Sequence, residues 1–222
     1  MSGFNLKVVS HMLLASSVMF AANAFADGRS YEVSITNLTR GQTFTPLLIA
    51  AHKRGPSLYK LGSPASIELA TIAESGNPAP LAALLKATGK TVVVKDSGAL
   101  LAPGATVTMT FNAKGAKYFS MAAMLIPTND AFVALNGIRL PSRSSNHVAI
   151  AYDAGSEPND ELCANIPGPV CGGEGASPDA GGEGYVHVHA GIHSHGDDIN
   201  LLNASERDWR NPVALVKIKR IH

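Results

Sequence analysis

Four histidines, His187, His189, His193 and His195, fall within nine residues in the run HVHAGIHSH and make up half of the eight in this chain. Side chains two apart on an extended strand share a face, so His187 and His189 project together. Gly191 permits a turn that returns His193 toward them. Three imidazoles suit zinc, copper or nickel. Asp197 and Asp198 are the carboxylates that could orient those rings from behind. The competing expectation is structural, a strand-end stripe hydrogen-bonded to loop backbone.

Acidic residues make the second constellation. Asn129-Asp130 follows an apolar run that ends before Pro127, and Asp153 follows Ala149-Ile150-Ala151-Tyr152. Glu157, Asp160 and Glu161 come soon after. Hard cations need several oxygen ligands at one place, and carboxylates on neighbouring loops supply them. No EF-hand spacing is present, and the same residue types also favour plain turns. Enzyme signatures are weaker still. After His187-x-His189 a cupin would place a glutamate where His193 or Ser194 stands, and neither Gly-x-Ser-x-Gly nor His-Glu-x-x-His occurs. The expectation is a protein that is not an enzyme, with a metalloenzyme at the histidines as the lesser alternative.

The elements that must hold these groups are mostly strands. Residues 31–38 alternate, with Tyr31, Val33 and Ile35 on one face. Residues 91–95 and 105–111 do the same, and in the latter Val107, Met109 and Phe111 oppose Thr106, Thr108 and Thr110. Residues 118–126 are continuously apolar, which predicts a central strand buried on both faces. Strands are also expected over 147–152, 185–189 and 213–221; in the last, Ala214, Val216 and Ile218 share a face while Lys217 and Lys219 point away. Two short helices interrupt them. One opens at Ser63-Pro64 and closes at Gly76; the other covers 80–87, with Leu81, Leu84 and Leu85 on one face. No alternating βα pattern appears, which excludes Rossmann and barrel readings. The prediction is an antiparallel β-sandwich with a long loop over 155–184.

Composition sets the location. The chain has 222 residues with 18 Lys and Arg against 17 Asp and Glu, which gives no field to steer nucleic acid. Residues 1–26 carry Lys7, an apolar stretch from Met12 to Phe20, and Ala24-Phe25-Ala26, the pattern of a secretory signal peptide. That stretch is about half the ~20 residues of a membrane span. Cleavage near Ala26 leaves a single domain over 27–222, secreted or periplasmic, with no transmembrane segment. An oxidising compartment favours pairing the only two cysteines, Cys163 and Cys171.

The stretches YEVSITNLTRGQTFTP, LIPTNDAFVALNG, YDAGSEPNDE, GEGYVHVHAGIH and DWRNPVALVKIKRI resemble the bacterial branch of the spondin-N domain family, related to the spondin domains of F-spondin and mindin. The resemblance runs from Tyr31 to the C-terminus. It implies an all-β, C2-like antiparallel β-sandwich with short helical excursions, long decorated loops and a calcium ion at one end. On the matching motifs, Asp130 and Asp153 are implied ligands. Glu157 stands where the family has an aspartate, with its arm longer by a methylene. The expected function is an exported calcium-binding module for recognition or adhesion, its partner an unidentified extracytoplasmic protein or glycan. The histidine run belongs to the resemblance without an implied role there, so zinc or copper at His187, His189 and His193 remains the alternative.

Overall fold

Period-two sequences become strands wherever one face can be buried, and β1 (Ser30–Asn37) follows this residue by residue, its inner positions Tyr31, Val33, Ile35 and Asn37 buried. The computed structural model describes residues 28–177, 181–195 and 200–222. The predicted leader, Asp197 and Asp198 lie outside the described residues. The other strands are β2 (Thr43–Phe44), β3 (Leu48–His52), β4 (Thr91–Asp96), β5 (Thr106–Asn112), β6 (Tyr118–Ile126), β7 (Ala131–Arg139), β8 (Ser144–Asp153), β9 (His187–Val188) and β10 (Ala214–Arg220). All pairings among them are antiparallel.

The strands follow one path, β4-β3-β6-β7-β8-β10-β1-β5, with β2 added to β6 and β9 to β8. β8 makes two layers from that path. Its first part, Ser144 to Ala149, pairs with β10, while Ile150 to Asp153 pair with β7. Between the layers, Tyr31, Val33, Ile35, Val216 and Ile218 pack in one core with Phe119, Met121, Ala123 and Leu125. This is an all-β fold of the predicted kind.

Helices cover the other face of β6. α1 (Ile67–Ser75) and α2 (Ala79–Ala87) set Leu69, Ile72, Leu81 and Leu85 against Leu48, Ala50, Ala122 and Phe132. A strand covered on both sides needs no polar face, which explains the unbroken apolar run of β6. α1 starts later than expected. Ser66, not Ser63, is its N-cap, accepting from the Leu69 N–H, while Gly76 ends it in the left-handed conformation as predicted. Leu84 does not join Leu81 and Leu85; it faces outward, half exposed. β3 and β7, which the sequence reading did not assign, are the other components of this layer. Both are rich in small and apolar residues without a clean alternation, because β3 is buried throughout and β7 over its first four residues. Among the described residues no helix is long and apolar enough to cross a membrane.

Candidate functional site

The chain brings its acidic loops together because β6 and β7 join through a short turn that lies against the end of β8. Asp130 sits at that turn, immediately before β7, and the Ala154 N–H donates to its backbone carbonyl. The next register pair, Ala131 with Asp153, ends the β7–β8 ladder. The predicted carboxylates Asp130, Asp153 and Glu157 are all buried, at 0%, 1% and 2% exposure. Such burial of ionisable groups requires compensation.

Compensation is incomplete for two of them. Asp130 Oδ2 accepts from the Ser156 N–H (2.8 Å), the Ser156 hydroxyl (3.2 Å) and the Glu157 N–H (3.1 Å). Asp130 Oδ1 has no partner, nor has either carboxylate oxygen of Glu157. Glu157 faces a hollow of ≈ 190 Å³ with Asn129, Asp160, Asn165 and Ser177. Glu74 of α1 is also buried and accepts from the N–H of Ser177, one of the residues lining that hollow. Burial pushes Asp130 up to about 8, with the Asp153 charge adding to the effect and the Ser156 and Glu157 donors opposing it. Burial likewise lifts Glu157 to about 7, with the nearby Ser177 hydroxyl and N–H opposing it and the charges of Glu74 and Asp160 adding to it. Three orphaned oxygens on two carboxylates have the chemistry of ligands for a hard cation of calcium type, although Asp130 does not itself line the Glu157 hollow.

Asp153 turns the other way. Its Oδ1 accepts from the Gly155 N–H (2.7 Å) and its Oδ2 from the Asn159 amide (2.7 Å). Both predicted histidines flank it: His187 Nδ1 is 3.7 Å from Oδ1, and His189 Nε2 is 3.8 Å from Oδ2. Burial raises the Asp153 carboxyl, against the opposing bonds from Asn159 and Gly155. β9 that delivers the histidines spans only His187–Val188, shorter than predicted, held by Tyr152–Val188 and Asp153–His187 pairing. His193 lines the same hollow of ≈ 440 Å³, yet its ring turns toward the Ala190 carbonyl (3.3 Å) and its N–H donates to Glu161. Glu183 also lines the hollow, and one ligand atom each from Asp153, Glu183 and His187 lie within 4.8 Å of one another.

The loop around these groups is tied down. Cys163 and Cys171 form the predicted disulfide. Asn129 receives the Glu161 N–H on its amide oxygen and donates to Asp160, pinning 160–161 to the β6–β7 turn. The sequence reading missed Glu74 and Glu183. Nothing local marks Glu74, which becomes buried only because α1 folds over the site. Glu183 had a signal, an acidic residue four positions before His187, hidden in a glycine-rich segment.

A disulfide-tied, two-layer antiparallel fold that gathers buried acids and histidines in its loops defines an extracellular type of β-sandwich module. The Spondin_N family model matches residues 32–157, more than half of the chain, and the chain belongs to that family. No curated protein matches it. The match ends at Glu157, so it includes Asp130 and Asp153 but not the histidines.

Proposed function

We propose that this protein is an exported calcium-binding module that recognises an extracytoplasmic protein or glycan, acting by binding rather than catalysis. The observation that carries the reading is the set of orphaned oxygens on Asp130 and Glu157. Buried carboxylate oxygens without donors must hold protons or a cation. Asp130 and Glu157 would hold calcium. Asp153, whose charge is felt by Asp130, adds negative potential from behind. Cation binding would fix the Asp130 turn against the 156–161 loop, and ordered loops present a surface. Tyr185 and Val188, near the end of the same loops, are 46% and 47% exposed, apolar groups suited to a sugar ring or a protein partner.

The test is thermal melting of the purified full chain after chelation, with calcium, magnesium or zinc restored separately. Calcium at about a hundred times Kd adds about 2.7 kcal/mol, a rise of roughly 5–10 °C for a domain of this size. Asp130→Ala and Glu157→Gln should each remove the rise. A wild-type protein indifferent to calcium, or a rise that both variants keep, would overturn the calcium reading.

A further inference from the structure

The histidine side of the loops has its own chemistry. Asp153, Glu183 and His187 come from three separate segments, the end of β8, the glycine-rich loop and β9. One amide holds the two carboxylates together: Asn159 Nδ2 donates to Asp153 Oδ2 (2.7 Å) and to Glu183 Oε1 (3.2 Å). Two like charges sharing one donor repel, and a cation between them relieves that repulsion. His187 Nδ1 faces two oxygens, Asp153 Oδ1 at 3.7 Å and the Tyr185 carbonyl at 3.2 Å. This corner collects acceptors faster than donors.

His189 supplies an independent observation. It is 6% exposed, lines the same hollow, and its Nε2 has no hydrogen-bond partner. The Gly191 N–H donates to its Nδ1 at 3.0 Å, so Nδ1 carries the lone pair and the hydrogen of the neutral ring lies on Nε2. Nε2–H points toward Asp153 Oδ2 from 3.8 Å, just beyond hydrogen-bond length. The tautomer puts a proton on the nitrogen nearer Asp153, so a small approach would make His189 a donor to that carboxylate, the part played by groups standing behind a metal ligand.

We infer that Asp153, Glu183 and His187 form a second cation site that takes a divalent transition metal of the zinc class, with His189 as a positioning residue for Asp153. One imidazole with two carboxylates matches zinc better than calcium, which avoids nitrogen. The hollow is open on the Glu183 and His187 side, giving the ion an entry path. The site uses none of Asp130, Glu157 or Glu74, but it shares Asp153 with the calcium ligands that the family resemblance implies.

Calorimetric titration of zinc chloride into the chelated full chain, near neutral pH and with calcium in excess, tests it. Wild type should bind one zinc per chain. His189→Ala should weaken binding about tenfold, and Glu183→Ala and His187→Ala by more than that. His189→Gln, which restores an N–H toward Asp153, should recover affinity and keep the wild-type visible spectrum of the cobalt(II)-loaded protein. His187→Ala should change that spectrum, because a ligand is lost. Glu183 and His187 lie outside the core, so their variants should fold and keep any calcium-induced melting shift. A melt indifferent to calcium would sink the calcium reading alone, since the zinc isotherm decides this one. No zinc binding by wild type, undiminished binding by Glu183→Ala and His187→Ala, or an equal loss in His193→Ala would overturn the second site.

Discussion

Two groups of carboxylates lie side by side at the loop end of the sandwich, and they are built in opposite ways. Asp130 and Glu157 are sealed in, with three oxygens that have no partner at hydrogen-bond geometry. Asp153 is as deeply buried but is served by Gly155 and Asn159, and its neighbours Glu183 and His187 open toward solvent. The first group has no positive partner, keeps donors on Asp130 Oδ2 alone, and contains only oxygen. The second has donors, one imidazole among its members and another behind it. Burial alone therefore does not say what a carboxylate binds; the partners left over after folding do.

Replacement of Glu157 should separate the two groups most sharply. A buried acid without donors costs stability until something neutralises it, and an apolar residue of similar volume removes that cost. Glu157→Leu should raise the melting point of the chelated protein, by about 1–4 kcal/mol, and abolish the calcium response. Glu183→Leu, at an exposed position, should do neither. Equal behaviour of the two variants would erase the distinction between the groups.

Gly155 joins them. It sits at φ +66°, and a Cβ there would lie 2.4 Å from the Tyr185 carbonyl oxygen and 2.7 Å from the Tyr185 nitrogen. Backbone cannot yield as a flexible side chain can, so Gly155→Ala should push the Tyr185–His187 segment away. The left-handed conformation alone costs about 1–2 kcal/mol, and melting should show at least that loss. Zinc binding should fall more than calcium binding, because the displaced segment carries His187. Loss of calcium binding alone would reverse that assignment.

Much of this frame was legible in the sequence. β1, β5, β6 and β10 follow from period two or from an unbroken apolar run, and Asp130 and Asp153 fall at strand ends where ligands of loop sites belong. What escaped was long-range. Glu74 reads as an ordinary helical acid until α1 covers the β6–β7 layer. β3 and the first four residues of β7 carry no alternation because both of their faces find cover. The parting of Asp153 from Glu157 depends on which way a side chain leaves the loop, and the sequence has no signal for that. Conversely, the pairing of His187 and His189 on one carboxylate follows directly from their two-residue spacing on an extended segment.

The raised carboxyls and the depressed His189 should also pull stability in opposite directions with pH in the metal-free protein. Carboxyls held above their ordinary range keep protons that the unfolded chain has lost. Their contribution is whole below the unfolded range near pH 4 and disappears as pH rises through about 7 for Glu157 and about 8 for Asp130. His189 behaves inversely. Burial, then the His187 and His193 charges, push it down to about 4, so its contribution is whole above the ordinary 6.5 and disappears as pH falls toward 4. Between pH 6.5 and 8 the acids act without it. The chelated protein should lose stability across that interval, by no more than about 1.4 kcal/mol per pH unit for each group, and Asp130→Asn should flatten the slope. Calcium should flatten it too, by taking the place of the protons. A melting point that rises from 6.5 to 8 would contradict the burial argument for Asp130.

The smallest effect expected is at Asn159, and it probes what holds the second group together. Its amide donates to Asp153 and Glu183, which otherwise repel. Asn159→Ala removes both bonds and leaves Asp153 Oδ2 with only the distant His189 Nε2–H. A hydrogen bond to a charged acceptor contributes about 1.5–3 kcal/mol when well buried. Asn159 is itself partly exposed, so the loss should be nearer 1 kcal/mol, read as a shift in urea midpoint with unchanged slope. Zinc should restore most of that loss, because a cation between the carboxylates does the work of the amide. Calcium should restore none of it, since the oxygens it would use lie on Asp130 and Glu157. If calcium rather than zinc rescues Asn159→Ala, Asp153 and Glu183 belong to the hard-cation group and the two clusters are one.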